Sequence, residues 1–251
     1  MSGHSHWSTI KRKKGAADAK RGQLFTRLAR EITIAARDGG GDPDTNIHLQ
    51  YAIDRAKSQN MPKDNIERAI KRGTGELKDG SVMEEIYYEG YASHGIALMI
   101  FCVTDNRNRA VSEVRHILSR MGGTMADVGS VAWQFKRSSY FSFPLAGHDM
   151  DELFELAVEA GADDVTFDDG TVEIFGEVDV FKEISERLKG AGIKPEEAGL
   201  RMIPNAEVYL DEDDTLQVFK FIEELEELDD VQEVYSNLGL SEELVAILEK
   251  V

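Results

Sequence analysis

The spacing of apolar residues predicts a first helix that begins near Lys20. Four apolar side chains recur there every three or four residues and fall on one face at about 100° per residue. They are Leu24, Leu28, Ile32 and Ala35. A glycine run at 39–41 is expected to end this helix, since glycine tolerates the left-handed conformation of a helix cap.

Two further helices are predicted before residue 76. Asp44 or Thr45 is expected to cap the second, which stops near Asn60. Pro62 fits the first turn of the third, where its missing N–H costs nothing. The residues expected to face inward are Ile47, Tyr51, Ala52, Ile66, Ala69 and Ile70. Three short helices of this kind predict a small bundle.

The pattern changes near Gly80 to runs of β-branched and aromatic residues. Residues 84–92 and 95–103 predict two antiparallel strands joined by a turn at Ser93 and His94. A helix is predicted over 107–121, and SVAWQF (130–135) predicts another strand.

A second unit of helices and strands begins at Ser139. Strands are predicted at 139–144, 165–167, 171–175 and 198–203, with helices from Asp149 and over 178–190. Asp168-Asp169-Gly170 is a hairpin signal. The resulting order, β-α-β-β-α-β, is that of a ferredoxin-like unit.

The closing segment predicts one amphipathic helix and a strand at 231–237, which could complete the unit over 80–136. The fold class is therefore α+β, with three domains. Residues 1–79 form a basic N-terminal three-helix domain, and 80–137 with 204–251 form a discontinuous αβ domain. Residues 138–203 form a βαββαβ domain inserted into that middle one. A chain of 251 residues is long enough for two or three domains.

Charge is sharply segregated along the chain. Residues 1–37 carry nine bases and two acids, a net +7, while residues 138–251 carry seven bases and thirty-one acids, a net −24. A basic segment beside a strongly acidic body is typical of a protein that meets a polyanion.

This basic head holds the candidate nucleic-acid-binding residues. Lys20, Arg27, Arg30 and Arg37 share an arc of the first helix opposite its apolar face. The alternative is an ordinary solvated face. Trp7 could stack on bases, or instead fold back onto the first helix. The full set is Trp7, Lys11, Arg12, Lys13, Lys14, Lys20, Arg21, Arg27, Arg30 and Arg37.

Arg107 and Arg109 lie in the first turn of a predicted helix. Cations are unfavourable there because the helix dipole is positive at that end, so the two arginines form a candidate anion site. The alternative is that they pair with Glu84, Glu85 or Glu89 on the neighbouring strands.

Other chemistry is not indicated. Cys102, alone of its kind, excludes an internal disulfide and fits a reducing cytoplasm. We expect no membrane span, no metal, no cofactor and no catalytic residues. His4 and His6 lack further ligands, and the acidic clusters lack the spacing of a calcium loop.

Five blocks in order resemble the YebC family, whose members are usually described as probable transcriptional regulators. The blocks are GHSHWSTIKRKKGAADAKRGQLFTRLAREI, NMPKDNIERAIKRGTGE, YEGY, TDNRNRAVSEVRH and GSVAWQF. The resemblance implies a helical N-terminal domain and two αβ domains, the last inserted in the middle one. Mitochondrial members resemble a translational activator of cytochrome c oxidase subunit I.

Two functions follow as expectations. The first is a regulator that binds duplex DNA through residues 11–37. The second is a ribosome-associated translation factor that binds ribosomal RNA or tRNA through the same arm. The oligomeric state stays open, and the acidic surface favours a monomer.

Overall fold

The computed structural model of the chain describes residues 18–77, 83–168 and 170–241, which contain helices and two antiparallel sheets. Three single turns of 3₁₀ helix connect helices and strands within these ranges. No helix in these ranges is both long and apolar enough to cross a membrane. The elements are α1 (Asp18–Gly39), α2 (Ile47–Ser58), α3 (Lys63–Gly73), β1 (Glu84–Tyr91), β2 (Ala97–Thr104), α4 (Arg107–Arg120), β3 (Thr124–Met125), β4 (Phe135–Pro144), α5 (Met150–Glu159), β5 (Ala162–Asp168), β6 (Thr171–Gly176), α6 (Phe181–Gly190), β7 (Glu197–Pro204), α7 (Glu212–Glu226) and β8 (Val231–Ser236).

Helices α1, α2 and α3 pack into the predicted bundle, with Leu28, Ile32 and Leu49 buried at its centre. The close crossing of α1 and α3 requires Gly73, since a Cβ there would lie 2.3 Å from the Thr33 carbonyl oxygen. The predicted cap of α2 was wrong. The Asn46 side chain, rather than Asp44 or Thr45, accepts the hydrogen bond from the amide of Leu49. Asn46 also donates to two carbonyls at the end of α1, so its amide serves both helices.

The first sheet has the order β3-β1-β2-β8. β1 and β2 pair in the register Glu84↔Thr104, and the late strand β8 pairs with β2 in the register Leu98↔Ser236. α4 and α7 cover one face, where Leu118 and Phe221 are fully buried. The strand from the end of the chain therefore completes the sheet begun at residue 84.

The predicted strand at 130–135 was wrong. Residues 132–134 form a 3₁₀ turn, and Phe135 begins β4 in the other sheet. The reason is the buried Glu89, whose carboxylate accepts hydrogen bonds from the amides of Gly129 and Val131, both at 2.6 Å, and of Ala132 at 2.9 Å. Because these three amides donate to the carboxylate, they cannot take part in the hydrogen-bond ladder of a sheet.

The second sheet has the order β5-β6-β4-β7, with the element sequence β-α-β-β-α-β. β4 pairs along its length with β7, from Phe135↔Pro204 to Ser142↔Glu197. It therefore runs across position 137/138, where the domain boundary was predicted. Helices α5 and α6 bury Leu153, Ile184 and Leu188 against the sheet.

The bundle contacts the second sheet through α2. The ring of His48 stacks on Phe181, with centroids 4.4 Å apart, and burial lowers the pKa of His48. The Tyr51 hydroxyl lies 2.7 Å from the Ser185 hydroxyl. Ile47 and Tyr51 were expected to face the bundle but pack instead against the core of the second sheet. α2 therefore has a buried side toward the bundle and a partly buried side toward the second sheet's unit.

Candidate nucleic-acid interface

The predicted nucleic-acid-binding residues divide into two groups by position. Trp7 and the run 11–14 lie outside the described residues. Lys20 lies in the first turn of α1, but its side chain is outside the described part of the structure. The described candidates on α1 are Arg21, Arg27, Arg30 and Arg37.

The predicted basic face of α1 lies against the unit built on the first sheet. The side-chain amide of Gln23 donates to the Glu227 carbonyl at 3.2 Å. About two and four helical turns further on, Arg30 and Arg37 contact the same unit. The face opposite the bundle core is therefore a contact between parts of the chain.

Arg30 is largely enclosed in this contact. Its Nη2 donates to the Asp230 carboxylate at 2.9 Å, and its Nη1 donates to the backbone carbonyl of Asp229. The side chain of Arg30 is 12% exposed and that of Asp230 is 2% exposed. A guanidinium placed in this way is occupied by protein oxygens.

Asp230 also accepts hydrogen bonds from the unit built on the first sheet. The Thr104 hydroxyl donates to Oδ2 of Asp230 at 2.9 Å, and Nε and Nη2 of Arg109 donate to the same atom at 3.0 and 2.8 Å. The backbone carbonyl of Asp230 accepts from the amide of Val103 at 2.9 Å. One buried carboxylate thus joins α1, the end of β2 and the start of α4. We call Asp230, Arg30, Arg109 and Thr104 the Asp230 cluster.

Arg37 is also engaged within the chain. It donates to Asp38 at 2.8 Å, to Glu85 at 2.6 Å and to the carbonyl of Met83 at 2.9 Å. The hydrogen bond to Asp38, with that to Glu85, raises the pKa of Arg37. Arg30 and Arg37 therefore attach α1 to the open end of the β1–β2 hairpin, where β1 begins and β2 ends, and where Asp230 precedes β8.

Arg21 and Arg27 differ from these two. Arg21 is exposed, and its guanidinium carbon lies 5.5 Å from the centre of the Phe25 ring. Arg27 is half-buried, and its Nε has no hydrogen-bond partner among the described residues. Arg21 is the described candidate on α1 that lies open toward solvent.

Arg107 and Arg109 are not equivalent. Arg109 is paired with Asp230 and with Asp105, the latter at 2.9 Å. Arg107 is exposed and forms no ion pair within the described ranges. Two of the carboxylates weighed as alternative partners act elsewhere: Glu85 binds Arg37, and Glu89 holds the 129–132 loop. The predicted anion site thus has one open guanidinium and one occupied by the protein itself.

Sequence reasoning missed Asp230, because it lies in a long acidic run where nothing distinguishes it from its neighbours. It also did not single out Arg68 and Lys71, which are exposed on the outer side of α3. Their spacing opposite Ile66 and Ala69 could have indicated them. Asp64 and Glu67 share that surface and offset part of its positive charge, to which the exposed Lys63 also contributes.

The described residues give little indication of other chemistry. They include no group of three or more His, Cys, Asp or Glu side chains placed to hold a metal ion. His4 and His6 lie outside those ranges. Cys102 is buried, and burial raises the pKa of its thiol to about 12. A thiol in that state is a poor nucleophile.

Comparisons with known proteins agree over nearly the whole chain. Residues 5–76 match the TACO1/YebC protein N-terminal domain, and residues 83–238 match the TACO1/YebC second and third domain. A protein of Geotalea uraniireducens is 51% identical over 97% of this chain and 98% of its own. One of Nitrosococcus oceani is 49% identical over 99% of this chain and 100% of its own. Both are named probable transcriptional regulatory proteins.

The fold has a solved counterpart. The crystal structure of a conserved hypothetical protein from Aquifex aeolicus superposes with a TM-score of 0.81 at 43% identity, covering 90% of this chain and 93% of that one. The matches to both parts of the family, and identities near 50% over full-length relatives, lead to one assignment. The chain belongs to the TACO1/YebC family.

Proposed function

We propose that this chain is a cytoplasmic regulatory protein that binds nucleic acid, and that it regulates transcription by binding duplex DNA through its basic N-terminal segment. The observation that carries the proposal is the segregation of charge, with a net +7 in residues 1–37 and a net −24 in residues 138–251. Phosphate backbones attract the first segment and are repelled by the second. The names of the relatives from Geotalea and Nitrosococcus support a regulatory role.

The contacts of α1 narrow the proposed interface to its beginning. Arg30 and Arg37 already bind protein oxygens, so using them for phosphate would mean breaking the contact with the first sheet. Arg21, by contrast, is exposed and forms no ion pair among the described residues, and the basic run 11–14 and the Lys20 side chain lie outside them. We therefore assign phosphate binding chiefly to residues 11–21, with Arg107 as a separate anion contact.

A salt series with matched charge removal tests this assignment. Binding of a fluorescent duplex is measured as salt rises, because each phosphate contact adds about −0.9 to the slope of log K against log salt. Replacing Lys11, Lys13 and Lys14 by alanine should weaken binding and flatten the slope by about 2 to 3. The control replaces three exposed lysines outside the bundle, Lys182, Lys189 and Lys220. Equal effects of the two sets would remove the arm from the interface.

A second function, binding to ribosomal RNA or tRNA as a translation factor, is favoured by one observation. In a helix-turn-helix protein the second helix of the pair reads bases in the major groove. The outer surface of α3, the second helix here, presents Asp64 and Glu67 among its cations, so it attracts phosphates less than the basic residues 11–21 do. An arm that binds the backbone without a reading helix suits a structured RNA as well as a duplex.

Co-sedimentation separates the two functions. The full chain is sedimented with ribosomes over a salt series, with excess random duplex DNA as competitor. Binding that survives the DNA and falls with salt would support the ribosomal function. Binding that the DNA removes completely would support the duplex-binding regulator, and selection of a preferred sequence would follow.

A further inference from the structure

Helix α5 carries an exposed apolar stripe on the second sheet's helical layer. Met150, Phe154 and Val158 follow one another at four-residue intervals and are 46%, 49% and 49% exposed. At that spacing they lie close to one line along the helix. Leu153 and Ala157 form the buried face of α5, which lies next to the exposed stripe around the circumference of the helix.

Acidic side chains lie along the other side of the same helix. Asp151, Glu152, Glu155 and Glu159 are all exposed. Asp151, Glu152 and Glu155 form no ion pair within the described ranges, and Glu159 lies 3.7 Å from Arg187 of α6. Between α5 and α6 there is an open groove of about 390 Å³, lined chiefly by Glu152, Glu155, Glu159, Glu186 and Arg187. Four carboxylates and one guanidinium therefore line the groove, with Lys182 lying 3.7 Å from Glu186 on the α6 side.

We propose that this surface, the α5 face, binds a basic amphipathic helix of a partner protein. A helix lying along α5 would cover the apolar stripe with its own apolar side and place lysines or arginines over the acidic side and the groove. From Met150 to Val158 the stripe extends over eight residue steps, about 12 Å, which two turns of a partner helix would cover. Helices commonly dock on apolar surfaces with anchors at such spacings.

The negative charge of the α5 face favours a basic protein over nucleic acid or an anionic membrane as its partner. Nucleic acid is repelled by the four carboxylates, and an anionic lipid surface is repelled in the same way. A basic partner gains from both features, because the apolar stripe supplies contact area and the carboxylates supply long-range attraction and orientation. The α5 face is thus suited to the opposite kind of molecule from the one proposed for the N-terminal segment.

A peptide titration tests the proposal. The probe is a fluorescein-labelled 14-residue peptide of leucine and lysine, patterned as an amphipathic helix, and the readout is anisotropy with the full chain. Two comparison peptides carry the same composition in scrambled order or glutamate in place of lysine. The patterned basic peptide should bind at least about tenfold more tightly than either of them.

Two pairs of variants locate the binding. Phe154→Ser with Val158→Ser should weaken the patterned peptide by about tenfold, whereas Val128→Ser with Val178→Ser removes two other exposed valines and should change little. Glu152→Gln with Glu155→Gln should weaken binding and reduce its salt dependence. Its control, Glu212→Gln with Asp213→Asn, removes the same charge from α7. All these side chains are exposed, so the fold should be retained.

Several outcomes would overturn the proposal. One is equal binding of the patterned and scrambled peptides, or an unaltered affinity for the Phe154 and Val158 variant. Another is tighter peptide binding after removal of residues 1–17, since the chain's own basic segment would then be the occupant. A third is a dimer in sedimentation that Phe154→Ser dissociates, which would make the occupant a second copy. Duplex binding should be unaffected by the α5 variants, so failure here leaves the proposed function intact.

Discussion

Removing the carboxylate of Asp230 is the sharpest test of how the bundle is held to the first sheet. Asp230→Ala deprives Arg30 of its ion-pair partner, Arg109 of its main one, and the Thr104 hydroxyl of its acceptor. The cost to each donor depends on how well water can replace the lost carboxylate. The exposed fractions of the two arginine side chains therefore predict which of them contributes more.

The magnitude follows from the exposure of each partner. Breaking a buried pair by removing one member costs about 3–5 kcal/mol, and Arg30 at 12% exposure approaches that case. Arg109 is 42% exposed, so water can solvate much of its guanidinium and its share is about 0–1 kcal/mol. We expect Asp230→Ala to lower the free energy of unfolding by about 3–4 kcal/mol. That corresponds to a fall in Tm of roughly 10 °C for a chain of this size.

Thermal and urea unfolding, followed by circular dichroism, measure this effect. The matched control is Asp229→Ala, which removes the same charge one residue away from an exposed side chain, and which should change stability by less than about 0.5 kcal/mol. Arg30→Ala should cost about 2 kcal/mol or more, and Arg109→Ala about 1 kcal/mol or less. Equal losses from Asp230→Ala and Asp229→Ala, or a larger loss from Arg109→Ala than from Arg30→Ala, would refute the reasoning.

Two further predictions concern other polar contacts. Burial raises the pKa of Glu89, but the amides of residues 129, 131 and 132 more than offset this, so the folded pKa lies below its ordinary value of 4.5. The resulting stabilisation is present above pH 4.5 and is lost as the pH falls through the folded pKa. Urea unfolding should therefore show Glu89→Gln about 1–3 kcal/mol less stable at pH 7, with the difference shrinking in acid; a constant difference would contradict it. Tyr51→Phe should cost about 1 kcal/mol, and a double-mutant cycle with Ser185→Ala should show that the two changes are not additive if α2 docks on α6 as described.

Local patterns predicted most of the secondary structure, because they depend on residues close in sequence. The β1–β2 hairpin follows from two apolar runs around Ser93 and His94, and the β5–β6 hairpin from the turn at 168–170. The strand predicted at 130–135 does not form because Glu89, some forty residues earlier in the sequence, binds the backbone amides of this segment. A buried carboxylate that collects three amides leaves no local periodicity to detect.

The site shows the same limit more strongly. Helical spacing correctly separated the apolar and basic faces of α1, but spacing cannot tell whether a basic face meets solvent or another part of the chain. Arg30 forms an ion pair with Asp230, which lies 200 positions later in the sequence. The open candidates, such as Arg21 and Arg107, and the occupied ones, Arg30 and Arg109, have the same residue type and similar local settings. Only tertiary contacts distinguish them.

The late strand β8 has a consequence for how the chain is made. Its partner β2 holds Ala97, Leu98 and Ile100, all fully buried, and the register joins Leu98 to Ser236. During synthesis from the N-terminus, β2 emerges about 130 residues before β8 and keeps an unpaired edge meanwhile. Contacts of such sequence separation slow folding, and unpaired apolar edges favour aggregation. Newly made chains should therefore depend on chaperones until the last strand is released, and truncation before residue 231 should yield aggregates rather than a smaller folded protein.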